Sequence, residues 1–154
     1  MPDQPAERVR SVLERVLQEL DLDGEVEISE DEEEIAAVVD GDDVFGLLIG
    51  RHGQTIDALQ LLCYQAAFRG ITERKRVMVD AAGYRERRRE ALEGRADRAA
   101  QQALSSAQPV ELDAMSAPER RVVHERLKER PEVETYSEGT EPNRCVVVAP
   151  LLSE

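Results

Sequence analysis

The run Leu48-Ile49-Gly50-Arg51-His52-Gly53-Gln54-Thr55-Ile56-Asp57-Ala58-Leu59-Gln60 decides how the chain folds. Residues 44–49 form a compact apolar segment, residues 50–53 interrupt it, and Ile56, Leu59, Cys63 and Ala66 or Ala67 resume at helical spacing. The pattern predicts a short helix, a tight glycine loop and a longer helix. With no side chain at Gly50 or Gly53, a nucleic-acid backbone can approach closely, and the free N–H groups at the start of the second helix favour an anionic phosphate. Arg51 and His52 are expected to point outward at the loop tip, with Gln54 and Thr55 following them. Two glycines three apart also mark ordinary helix–helix corners. The apolar lead at 47–49 and the trailing Gln54-Thr55-Ile56 sharpen the nucleic-acid reading.

Upstream, Val9, Val12, Leu13, Val16, Leu17 and Leu20 predict an amphipathic helix over 5–20 that ends at 21–24. Val26 and Ile28 alternate with acids, and 35–39 is apolar, so two strands are expected around an acidic turn. Residues 40–43 form a further turn whose carboxylates do not have the spacing of an EF-hand loop. Downstream, Gly70 is expected at the C′ position of the longer helix, followed by a strand over 74–80. From Tyr84 the pattern becomes an Arg-rich helix with Leu92, Ala96, Ala99, Ala100, Ala103 and Leu104 as its apolar stripe, and a second domain is expected there. A short strand at 110–112 precedes Ser116, Pro118 and Glu119, which predict an N-cap, a first-turn proline and a capping box, opening a helix that Pro131 terminates. Strands over 133–136 and 145–149 then flank a turn at 137–143.

The order helix, strand, strand, helix, glycine loop, helix, strand, together with residues 48–60, resembles the K-homology (KH) domain in its type II form. That resemblance implies about three helices on a three-stranded sheet and roughly four nucleotides held beside Gly50, Arg51, His52, Gly53, Gln54 and Thr55. The scarcity of aromatic residues agrees. Phe45, Tyr64, Phe68, Tyr84 and Tyr136 are too few for a base-stacking sheet. A histidine at position 52 makes part of the loop's charge depend on pH.

Arg120 and His124 stand four apart on the capped helix, so they share a face, with Arg121 beside them. Such a pair can hold a phosphate, or it can be a solvated face or a histidine satisfying a local carbonyl. The run 115–124, followed by 133–144, resembles the small domain named for an arginine and a histidine separated by three residues (RxxxH). The resemblance implies that Arg120 and His124 contact single-stranded nucleic acid, with Arg144 on the last strand beside them. A KH domain (1–82) followed by an RxxxH domain (83–154) resembles the bacterial Jag, or SpoIIIJ-associated (KhpB), family over nearly the entire chain, and residues 83–88 at the junction share the likeness. The expected fold class is therefore α+β, with helices on a three-stranded sheet followed by a small α/β domain. The family resemblance implies a cytoplasmic RNA-binding regulator or RNA chaperone linked to cell division and envelope synthesis. The implied partners are single-stranded RNA, with single-stranded DNA as the other candidate, and a small KH-only protein or a second copy. Many members carry a further N-terminal domain, for which this chain is expected to have no room.

Charge is distributed to match. The 154 residues carry a net charge of -13. Residues 1–47 hold 16 Asp and Glu against three Arg, residues 48–154 hold 17 of each sign, and residues 69–98 hold ten basic and six acidic groups. The acidic third is expected to face away from nucleic acid or to limit non-specific binding, and the Arg-rich stretch is the expected electrostatic footprint. Eighteen of the 20 basic residues are Arg, a choice that suits bidentate phosphate contacts and that genome composition also produces. No apolar run reaches the length of a membrane span, and the N-terminus lacks a signal-peptide pattern, so a cytoplasmic location is expected. Cys63 and Cys145 lack disulfide or zinc spacing and are expected to be reduced and buried. Neither histidine has a paired nucleophile or carboxylate, and no P-loop or metal-ligand spacing occurs. Neither enzymatic activity nor a cofactor is expected. The reading from a different class is a protein-interaction adaptor that pairs with another KH protein and retains residual RNA binding.

Overall fold

Val9, Leu13 and Leu17 fall four apart, and that spacing places them on one stripe of the first helix, α1 (Pro5–Glu19), where all three are buried. Proline in its first turn removes an N–H that would have no helical partner. The structure, a computed structural model, describes residues 4–41 and 45–152. The helix stops one residue short of the expected Leu20, which is exposed, because Asp21 takes a left-handed conformation (φ 52°) and turns the chain toward the sheet.

Two strands follow, β1 (Glu25–Glu30) and β2 (Glu34–Asp40), paired antiparallel with Val26 opposite Val39. The acidic turn between them closes on Asp31, whose carboxylate accepts the amides of Glu33 and Glu34, each at 2.8 Å. Those hydrogen bonds hold the Asp31 carboxyl below the usual carboxylate range. Of the expected turn at 40–43, Asp42 and Asp43 lie outside the described residues, as does Val44. A short helix α2 (Phe45–Ile49), the glycine loop and α3 (Gln54–Ala67) lead to β3 (Arg76–Ala81), which runs parallel to β2. The sheet order is β1-β2-β3. The inward period of β2 (Ile35, Ala37, Val39) and of β3 (Val77, Val79, Ala81) meets α1 and α3 in one core with Leu48, Ile56 and Cys63. Burial in this core pushes the Cys63 thiol up to about 12, so it stays protonated and unreactive. Three details differ from expectation. β3 starts at Arg76, leaving Arg74 and Lys75 in the preceding turn, where Lys75 bonds Glu30 and the Asp31 carbonyl. Gly70 lies two residues beyond the C-cap Phe68, and the turn is closed by the Ile71 N–H on the Phe68 carbonyl. β2 extends through Asp40 because its pairing with Glu25 continues there.

The second part is built from α4 (Tyr84–Ser106), β4 (Val110–Glu111), α5 (Ala117–Leu127), β5 (Val133–Glu138) and β6 (Cys145–Pro150), with an antiparallel sheet in the order β4-β6-β5. Leu92, Ala96, Ala99, Ala100 and Ala103 of α4 pack with Val123 and Leu127 of α5 and with Val146 and Val148 of β6. Leu104, expected in the same stripe, is 38% exposed. The chain divides into two compact units, Met1–Arg85 and Glu86–Glu154, so the division falls within the first turn of α4.

At the start of α5 the expected capping box does not form. Ser116 has the extended N-cap backbone but makes no side-chain cap bond, and Glu119 instead accepts from Arg88 Nε at 2.7 Å. A nearby guanidinium outcompetes the neutral backbone amide for the carboxylate. α5 ends at Leu127, ahead of Pro131, because Arg130, the residue before the proline, closes a turn on the Leu127 carbonyl.

Candidate nucleic-acid interface

In the first unit the interface is organised by backbone conformation. Gly50 has φ +73° and Gly53 φ +77°, and His52 between them is also left-handed at +55°. A Cβ at Gly50 would run into the Thr55 side chain (Cβ at 2.7 Å), and one at Gly53 would meet the Tyr84 ring at 2.8 Å. Both positions are therefore closed to other residues by conformation and by space. The turn between them, Arg51–Gly53, lifts Arg51 and His52 into solvent, while Gly53 is buried beneath. Gln54 and Thr55 open α3 and are exposed, so the expected loop residues are gathered at one helix N-terminus, where the Gln54 amide already donates to the Arg51 carbonyl and the helix dipole favours an anion. Leu48 and Ile56, both fully buried, anchor the loop on either side.

The second unit departs from the expected picture. Arg120 and His124 do share a face of α5, but Arg120 is only 8% exposed. Its guanidinium donates to the Met115 carbonyl at 2.8 Å and to Glu141 at 2.7 Å, so it ties α5 to the β5–β6 loop rather than presenting a free cation. His124 is half-buried, with Nδ1 2.7 Å from the Thr135 hydroxyl and Nε2 3.0 Å from the Ser137 hydroxyl. Burial first, and the neighbouring Arg120 charge second, hold the His124 imidazole below its ordinary range, so it is neutral near pH 7. The pair is thus one committed cation and one neutral ring. Arg144 lies just before β6 and donates to the Gly139 carbonyl at 2.7 Å. Arg121 points elsewhere. It is exposed and, with Pro118, Val122 and Glu125, lines a cleft of about 450 Å³.

Several residues that shape these sites are not marked by local sequence. Thr135 and Ser137 stand two apart, the period that places them on one face of β5, and that spacing is the only signal for His124's partners. Glu141 falls in the expected turn 137–143, which gives no hint of its bond to Arg120. Tyr84 and Arg85 sit at the junction and carry no local signal beyond the family likeness. Among the described residues no three of His, Cys, Asp and Glu come together as a metal site, and no helix is long and apolar enough to cross a membrane.

A type II KH fold followed by an RxxxH domain is the class these units define. The family model described as KhpA/KhpB, KH domain, matches residues 6–80, and the model of the RxxxH domain matches residues 90–150. The chain is 38% identical over 128 residues to RNA-binding protein KhpB of Clostridium symbiosum, covering 83% of this chain and 57% of that one. It is 40% identical over 104 residues to RNA-binding protein KhpB of Lactiplantibacillus plantarum, covering 68% and 32%, and 30% identical over 147 residues to RNA-binding protein KhpB of Bacillus subtilis, covering 94% and 70%. The chain belongs to the KhpB family. It spans about half the length or less of the first two of these relatives.

Proposed function

We propose that the protein binds single-stranded RNA, with the glycine loop at residues 50–55 as the principal phosphate-contacting element. One observation carries this reading: two left-handed glycines, each closed to a side chain, hold an exposed Arg51 and His52 at the N-terminus of a 14-residue helix. The helix dipole and the Arg51 cation converge where a phosphate would lie, and the missing glycine side chains let it come close. In the RxxxH unit the contribution falls to Arg121 and to the hydroxyl-bonded His124, with Arg120 and Arg144 holding the surrounding backbone. Two weak sites on one chain raise avidity without new contacts. A cytoplasmic location and regulation of cell division or envelope synthesis belong to the same proposal and rest on family membership.

Titration of a labelled single-stranded RNA tests it. Wild type is expected to bind with a log-log salt slope of about -2 to -3, as three or four phosphate contacts on a single strand give. The double variant Arg51→Asp/His52→Asp is expected to lose most of that affinity while its circular dichroism stays unchanged. Equal binding by the two proteins overturns the loop as the site.

A second reading, an adaptor that pairs with another KH protein, is favoured by Leu47, Leu61 and Leu62 on α2 and α3, which are 57%, 60% and 56% exposed. Loss of partner binding in Leu61→Ser/Leu62→Ser with RNA affinity intact selects it.

A further inference from the structure

The KH family model matches residues up to 80, yet the first unit extends to Arg85, and its last two residues bear directly on the loop. The Tyr84 ring lies against the Cα of Gly53, so close that an added Cβ would stand 2.8 Å from Cε1 and 3.0 Å from the hydroxyl oxygen. Arg85 spends its guanidinium on three acceptors. Nε donates to the Val79 carbonyl at 2.8 Å, one terminal nitrogen to Asp57 at 2.8 Å and the other to Gln60 at 3.0 Å. Gln60 Oε1 also accepts the Val79 N–H at 3.0 Å, and Asp80 accepts the amides of Ala81 and Arg85. The network joins β3 to the first two turns of α3, and α3 begins at the loop. Any rotation of those turns is a displacement of Gln54, Thr55 and the amides beside them.

We infer that Tyr84 and Arg85 are positioning residues for the glycine loop: the ring fixes the height of Gly53, and the guanidinium fixes the angle of α3. The inference rests on the loop being an RNA site. It assigns a task to Tyr84 and Arg85 at the junction and places the functional end of the KH unit beyond the matched domain. Holding the loop in place before RNA arrives removes an ordering cost from binding, so the affinity gain comes without any contact between either side chain and RNA.

The test uses the full chain as wild type, Tyr84→Ala, Tyr84→Phe, Arg85→Ala and the loop variant Arg51→Asp/His52→Asp. Each is titrated with a labelled mixed-sequence single-stranded RNA oligonucleotide, and amide hydrogen exchange is followed at residues 50–56 and across β2. Tyr84→Ala and Arg85→Ala are each expected to quicken loop exchange and to weaken RNA binding by about tenfold, with β2 protection unchanged. Tyr84→Phe, which keeps the ring against Gly53, is expected to retain most of the protection and of the affinity. If Tyr84→Ala also lowers protection across β2, Arg85→Ala, whose side chain lies outside the apolar core, decides alone. RNA affinity at the wild-type level in the positioning variants, while the loop variant loses binding, overturns the inference and leaves the RNA reading standing. An unaffected loop variant overturns the RNA reading, and the inference with it.

Discussion

Arg120 shows at the residue scale how a binding signature and a structural clamp can share one side chain. Its fork reaches the Met115 carbonyl and Glu141 together, so Arg120→Ala leaves a buried carbonyl without its donor. A loss of about 1–3 kcal/mol in urea unfolding is expected, with Arg120→Lys recovering less than half because an ammonium cannot span both acceptors. Arg120 also acts on His124. Removing the like charge in Arg120→Gln is expected to raise the His124 pKa, read by NMR titration of the ring protons. Because folding depresses that pKa, the unfolded chain, which titrates near 6.5, takes up a proton first as pH falls. His124 therefore contributes stability that is fully present above about pH 6.5 and lost as pH falls through the lowered folded value. The stability difference between wild type and His124→Gln is expected to shrink across that window, and a difference flat with pH counts against the assignment. At the loop, Gly53→Ala combines a left-handed backbone with a clash against the Tyr84 ring, and a cost of about 1–3 kcal/mol is expected in the same unfolding measurement.

Element boundaries are decided by competition among neighbours, and α5 is the clearest case. Since Ser116 makes no cap bond, Ser116→Ala is expected to cost under about 0.5 kcal/mol, below the ~1 kcal/mol typical of a working N-cap, as thermal unfolding would show. Glu119→Ala removes the carboxylate partner of Arg88, where both side chains are mostly buried (16% and 13% exposed), and is expected to cost about 1–3 kcal/mol. Apolar periodicity makes α1, β1, β2, α3 and the alanine stripe of α4 legible, because most residues carrying the period are buried or packed against the core, with Leu20 and Leu104 at the helix ends as exceptions. The loop is legible for a similar reason: its two glycines answer a local backbone demand. Arg120 reads as a free cation in the sequence because its burial depends on Met115 and Glu141, five and 21 residues away, and the Ser116 box misleads because Arg88 is 31 residues upstream of its glutamate. Helical spacing records which face a residue occupies and is silent about what the rest of the chain puts opposite it.

For the molecule as a whole, charge sets the rate and selectivity of encounter more than the fold. Glu27, Glu32 and Glu33 are exposed and form no ion pair among the described residues, unlike Glu30 and Glu34, which pair with Lys75 and Arg76. Glu27→Gln/Glu32→Gln/Glu33→Gln is expected to speed association with any single-stranded RNA by about two- to fivefold at low ionic strength, and the effect should vanish at high salt in stopped-flow traces. An unchanged rate would show that the acidic hairpin does not screen the proposed RNA site. The sheet order β4-β6-β5 carries a different consequence, one of timing. Its middle strand is the last to be synthesised, and neither β4 nor β5 has the other for a neighbour. A ribosome paused before residue 145 therefore holds two strands with nothing to pair with, whereas the sheet of the first unit is already complete at residue 81. Pairing in the two halves is accordingly staggered: β1 and β2 can join as soon as both are made, whereas the RxxxH half has no strand pair until β6 emerges.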